Sequence, residues 1–333
     1  MGPTELEKIL SKMVLEVARK HRGDPQWQET RTAYSVWHVL RIFLQCVLEG
    51  VCPGIFYQRL EILREYRQIH RLPNRLISLS QLKKRMRTLM FQRALLEVFQ
   101  HGAARALRRM GPEEVRVVAM DLTKLQSDPD RDRYGAWGKS TGGLFWGYKL
   151  GLIVSEQGVI LGMTLTKGNW GEFNVNRRLL RMAREVIQTS FGELPVEYVV
   201  CDAGFDGEST FKAAHQNLQA PVLCPPRRKR NPKVKTARNV LWNARSRSPH
   251  RLRDEALWEA PEAREIFNKR SGIERVNGQL KDTAIRIQEI PPRRRGVRRL
   301  WPLCLAKLVI YNLALNVNID QGRNIRGIKA LVA

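Results

Sequence analysis

The sequence predicts a chain in two parts, an all-helical N-terminal region followed by a mixed α/β sheet covered by helices on both faces. Three observations predict this. Apolar residues recur at three- and four-residue spacing through about residue 110. Gly111-Pro112 then punctuates the chain. Beyond it, short apolar runs of strand type alternate with helical patterns, the signature of a sheet with helices on each side.

In the first part, Thr4 with Glu7 forms a capping box before an amphipathic helix. A second helix is expected over Thr32–Glu49, ending before Gly50, and a third over Ile55–Ile69, ending at the turn Arg71–Asn74. Ser78 caps a segment with Lys83, Lys84 and Arg85 expected in its first turns. A recognition helix has this form, because its N-terminal residues must reach phosphates and base edges. A solvated helix face has it too.

In the second part, Val115–Met120 reads as a buried strand. Tyr148–Ser155 and Val159–Thr166 read as a hairpin turning at Glu156-Gln157-Gly158. A helix over about Glu172–Ser190, a strand Glu197–Cys201, a helix Gly207–Asn217 and a short strand Pro221–Cys224 follow. One long helix is expected from Pro261 to about Ala284, and an apolar one over Leu300–Asn316. The domains expected are a helical domain at 1–110, which the Ser78 segment would make DNA-binding, a sheet domain at 111–318 with a basic insertion near 225–260, and a tail at 319–333.

Charge narrows the function. The 333 residues carry 58 Lys and Arg against 32 Asp and Glu, a formal net charge of +26. Residues 1–110 hold 20 of these bases and 9 of these acids, so both parts are basic. Nucleic acid is the partner such a surface selects. From Arg227 to Arg253 there are eleven bases and no acid, beginning Arg227, Arg228, Lys229, Arg230, with Trp242 inside the run and Trp258 just after it. Bases interleaved with aromatics suit a DNA backbone beside an unstacked base. The five cysteines form no CxxC pair, which argues against structural zinc and a disulfide framework. No apolar run approaches the roughly 20 residues of a membrane span. The N-terminal helix lacks the apolar stretch of a signal peptide. A cytoplasmic, nucleoid-associated protein with no membrane partner is therefore expected.

Three acids stand where phosphodiester chemistry needs them. Asp121 is expected to end the strand VRVVAM, and Asp202 to end EYVVC. Carboxylates at strand ends face the crevice where α/β sheets bind ligands, and two together make a hard oxygen site for Mg²⁺. Either Asp alone reads as a turn cap. On the long helix, at about 100° per residue, Phe267, Glu274 and Lys281 fall within about 60° of Arg270. Ile266, Ile273 and Leu280 form an adjacent apolar stripe that would press the helix onto the sheet.

The spacing Phe267-x2-Arg270-x3-Glu274-x6-Lys281 resembles the Tyr-x2-Arg-x3-Glu-x6-Lys signature of bacterial insertion-sequence transposases of the DDE class, the IS-four type. The order of Asp121, the hairpin and Asp202 agrees with it over roughly residues 115–316. The resemblance implies an RNase H-like core and two Mg²⁺ ions, or Mn²⁺, held by Asp121, Asp202 and Glu274. It also implies in-line cleavage of transposon ends and transfer of the new 3′-hydroxyl to target DNA. Arg270 and Lys281 would hold phosphates. The partners implied are double-stranded DNA, as inverted-repeat ends and as target, and a second copy of the chain in the DNA complex. Trp258 or Trp242 would stack a flipped base. Phe267 replaces the signature tyrosine, so that hydroxyl is missing, and the 72 residues from Asp202 to Glu274 leave room for only a small insertion. Rival readings are an RNase H-like nuclease or resolvase without strand transfer, a domesticated DNA-binding protein, and an RNA-binding protein of ribosomal type.

Overall fold

A computed structural model describes residues 4–27, 34–62, 64–73, 76–140, 142–225, 249–282, 285–289, 296–325 and 327–328. The chain forms two compact units. One comprises 1–106, 279–289 and 298–333, the other 107–278 and 290–297.

The first unit is helical. It contains α1 (Glu5–Lys20), α2 (Val36–Leu48), α3 (Pro53–Ile62), α4 (Arg64–Ile69), α5 (Leu79–Arg85) and most of α6 (Leu89–Met110). The Thr4 capping box is present. The apolar stripes meet in a core of Leu10, Met13, Val14, Leu40, Phe43, Phe91, Leu95 and Phe99, with Phe43 and Phe91 edge to face at 5.2 Å. The third helix expected over Ile55–Ile69 is helical as α3 and α4, on either side of residue 63, which lies outside the described residues. Ser78 caps α5, its Oγ accepting from the Gln81 amide at 3.4 Å. Helix α5 has seven residues, and Lys83, Lys84 and Arg85 lie in its last turn rather than near its start. There they complement the partial negative charge of a helix C-terminus.

The second unit is built on a six-stranded sheet: β1 (Val117–Gln126), β2 (Ala136–Ser140), β3 (Gly143–Val154), β4 (Ile160–Lys167), β5 (Tyr198–Cys201) and β6 (Val222–Leu223). The spatial order is β2-β3-β1-β5-β6, with β4 also on β3. Strands β1, β3 and β4 pair antiparallel, and β5 and β6 join β1 in parallel. Six helices follow among the described residues. They are α7 (Asn176–Phe191), α8 (Glu208–Leu218), α9 (Pro249–Leu257), α10 (Ala263–Asn268), α11 (Ser271–Asp282) and α12 (Val297–Asp320). Helix α7 packs on β3 and β4 across Gly151 and Gly162. A Cβ at Gly162 would lie 2.9 Å from that of Met182, so the close approach needs glycine.

Three expectations change. Strand β1 continues five residues past Asp121, which sits mid-strand instead of ending it. Strand β2 was not foreseen. The long helix expected over 261–284 is two helices, joined by a tight turn in which the Arg270 amide bonds the Phe267 carbonyl at 2.9 Å. A tertiary contact lies at the break. A Cβ at Gly272 would lie 2.8 Å from the Glu156 carbonyl oxygen, so the start of α11 presses on the β3–β4 turn closer than a side chain allows. Helix α12, at 24 residues, has the length and hydropathy of a membrane span, contrary to expectation. Leu300 and residues 303–306 and 308–315 are nevertheless buried in the fold, and the Asn316 amide donates to the Gly102 carbonyl at 2.9 Å.

Candidate active site

Strand register creates the site. In the parallel pairing of β1 with β5, Met120 is the partner of Cys201. The next residues on the two strands are Asp121 and Asp202. Neighbouring strands lie about 4.8 Å apart, so the register that pairs Met120 with Cys201 brings the residues that follow near each other, close enough for the charge of Asp202 to act on Asp121. Beyond Cys201 the β5 chain turns away. Asp202 starts a short 3₁₀ turn, its Oδ1 accepting from the Gly204 amide at 2.9 Å, and its backbone oxygen accepts from the Cys224 thiol at 3.0 Å. The turn leaves β1 without a parallel partner at Asp121, which opens the crevice.

Asp121 lies on the sheet face opposite α7. There it meets α11, where the Asn277 amide donates to Asp121 Oδ2 at 2.9 Å and the Leu122 amide to Oδ1 at 2.8 Å. Burial pushes the Asp121 carboxyl up to about 6, and the negative charge of Asp202 adds to the rise. Glu274 contributes in the same direction, while Arg270 and the Leu122 amide oppose it. The three acids therefore share one electrostatic neighbourhood.

Helix α11 docks through Ile273, Val276 and Leu280, all buried, as the apolar stripe requires. Ile266 stays half-buried on α10. Asn277, one turn beyond Glu274, is the residue that touches Asp121. Glu274 stands at the rim with its side chain 58% exposed, its Oε1 paired to Arg270 at 2.6 Å, rather than turned fully toward the strands. Arg270 also lies over the Phe267 ring at 5.4 Å, and Phe267 meets Trp258 edge to face at 5.1 Å. Trp258, Phe267, Arg270 and Glu274 thus form a continuous line of contacts to the crevice. Lys281 is half-exposed near the end of α11.

The start of α11 is anchored by the β3–β4 turn. Lys269 pairs with Glu156 at 3.1 Å. The turn is itself fixed by Glu114, which accepts from Ser155 Oγ and from the Gln157 amide at 2.6 Å. Burial pushes the Glu114 carboxyl up to about 7. Asn277 and Glu114 carry no motif of their own. The signal for Asn277 was its place three residues after Glu274 on a helix, which puts both on one side.

The chemistry of the donor set suits a hard divalent cation, which would relieve the crowding of Asp121 and Asp202. Among the described residues no three His, Cys, Asp or Glu side chains converge on an ion as they stand. Asn277 and Arg270 now occupy oxygens of Asp121 and Glu274.

The other expected DNA-binding residues fall in different places. Arg227, Arg228, Lys229, Arg230 and Trp242 lie outside the described residues. At the end of the basic run, Arg251 bonds Asp206 and Glu255, each at 2.8 Å, and lies over Phe211. That arginine fastens α9 to the fold. Asp254 does the same from the next turn, accepting from the Val222 amide of edge strand β6 at 2.9 Å and meeting His215 at 3.0 Å. Lys83 and Lys84 are exposed, whereas Arg85 donates to the Tyr34 carbonyl.

The fold is a mixed α/β sheet flanked by helices, with Asp121 inside β1 and Asp202 just past the end of β5. Residues 113–313 match the transposase DDE domain family, and the chain belongs to that family. It is a DNA transposase, an enzyme that cleaves and transesterifies DNA, and its family acts with divalent metal ions. No curated protein and no solved structure gives a significant match.

Proposed function

We propose that Asp121, Asp202 and Glu274 are the catalytic acids and hold two Mg²⁺ ions, with Mn²⁺ able to substitute. The observation that carries this is the register placing Asp121 beside Asp202, with Glu274 near enough to act on the same carboxyl. When bound, the ions supply activation of water or a DNA 3′-hydroxyl and neutralise charge at the leaving oxygen. The side chains prepare this. Asn277 orients Asp121 through its amide, and Arg270 keeps the Glu274 carboxylate beside the crevice. Release of Glu274 from Arg270 frees the guanidinium for a phosphate, the pairing its planar fork favours.

In this reading the enzyme nicks transposon ends and transfers them to target DNA as a homodimer in the nucleoid, and the chain is of the IS-four type. Its helical unit binds the ends through Lys83 and Lys84, and the segment 227–230 with Trp242, together with Trp258, Phe267 and Lys281, completes the DNA contacts. Arg85 holds the fold of that unit. The test is incubation of the protein with Mg²⁺ and a plasmid carrying the DNA that flanks its own reading frame. Joined products are expected, and Asp121→Ala should abolish them. Efficient cutting without joining would instead identify a nuclease.

A further inference from the structure

Strands β1 and β3 run on well past the crevice, and β2 closes the end of that extension. Register fixes which face each residue takes. Asp121 pairs with Leu152, Thr123 with Leu150 and Leu125 with Tyr148. Side chains alternate along a strand, so Trp146 and Leu144 follow on the face of Asp121. On β2, Trp137 pairs with Trp146 and Lys139 with Leu144, which brings both onto that same face. Contacts agree with the register: the Trp146 indole and the Tyr148 hydroxyl both reach Asp132, at 2.7 Å and 2.9 Å.

This end of the sheet is unlike a solvated surface. Trp137 is 57% exposed and Leu144 74%, and Trp170, just after β4, is 48% exposed. Trp137 stands edge to face with Trp146 at 5.6 Å, so its position is set by packing. Lys139 is exposed among them, and Arg133 and Lys167 are exposed nearby. Large apolar side chains left in water beside cations, on a face shared with a reacting centre, mark a binding surface. The basic character selects a polyanion, and the aromatics suit sugars and base edges.

We infer that the β2–β3 extension grips duplex DNA beside the reacting phosphate, with Lys139 on the backbone and Trp137 and Leu144 against the groove. From Leu152 to Trp146 is six residues, about 20 Å of strand. At about 3.4 Å per base pair the contact falls about six base pairs from the phosphate at Asp121. This rests on the reading that Asp121 marks the reacting centre.

The test uses the full-length protein and a 40-bp duplex carrying bromodeoxyuridine. Trp137→Ala is expected to weaken binding about five- to tenfold. Lys139→Glu, which leaves the aromatic packing in place, should weaken it and flatten the salt dependence by about one unit of slope. Photocross-links should map to residues 134–149 and persist in Asp121→Asn. Unchanged affinity and salt slope in both variants, with cross-links elsewhere, would overturn the inference and leave the transposase reading intact. A wild-type protein that binds no duplex would overturn both.

Discussion

The two aspartates and the glutamate reach the crevice by different physical routes. Asp121 and Asp202 each follow directly on a paired position, Met120 with Cys201, the last that the backbone hydrogen bonds of β1 and β5 fix. Glu274 is carried by a separate helix whose start rests on a turn, through Gly272 on Glu156 and Lys269 with Glu156. The two strand carboxylates are half-buried, with the charge of Asp202 helping to raise the titration of Asp121, and the helix carboxylate is exposed and paired. The first arrangement builds a fixed anionic seat. The second supplies a group able to exchange an arginine for a cation without disturbing the sheet.

That contrast can be broken at either side. Asp121→Ala and Asp202→Ala remove the seat itself and should lower cleavage on the order of 10³-fold, as loss of a partner for transition-state charge does. Both proteins should melt no lower than wild type, because burying like charges is unfavourable. Asn277→Ala leaves all three acids but removes the amide on Asp121, and a 10–100-fold loss of activity or metal affinity is expected in Mg²⁺ titrations. Gly272→Val attacks only the helix route. The added side chain must push α11 off Glu156, at a cost of about 1–3 kcal/mol in thermal or denaturant unfolding, and cleavage should fall while the raised titration of Asp121 persists by NMR.

Glu114 sharpens the comparison through pH. Its carboxyl titrates at about 7 in the folded chain, above the ordinary value of 4.5. Between those values the folded state holds the proton that the unfolded state has lost, so stability falls as pH rises from about 4.5 through 7. Glu114→Gln should flatten that decline in urea denaturation. The smallest effect belongs to the Arg270–Glu274 pair. With Glu274 half in solvent, Arg270→Ala should change stability by less than about 1 kcal/mol. It should still raise the Asp121 titration, because Arg270 holds that value down.

The sheet, the hairpin turn at 156–158, the buried strand before Asp121 and the apolar stripe of α11 were all legible in the pattern of apolar residues, since burial dictates that pattern. Strand β2 was not, because Trp137 and Lys139 face outward on an edge and β2 carries Gly138 at its centre, where a Cβ would strike Gly168. Asp121 was read as a strand end because a charged residue interrupts the apolar run. In the fold the antiparallel partner carries the strand onward, and tertiary pairing outweighs composition. The break before α11 depended on contact with Glu156, 116 residues away in sequence, which no local window contains. The place of Asn277 beside Glu274 on one helix was legible, but its bond to Asp121 was not, because that partner lies on a strand 156 residues away.

On the proposal above, Asp121, Asp202 and Glu274 line one site for the metal ions. Iron-mediated cleavage of the polypeptide tests it without any DNA, since Fe²⁺ in a Mg²⁺ site generates radicals that cut the nearest backbone. Cuts clustered near residues 121, 202 and 274, competed by Mg²⁺ and lost together in Asp121→Ala, are the predicted result. Cuts confined to one of those segments, or unaffected by Asp121→Ala, would contradict it.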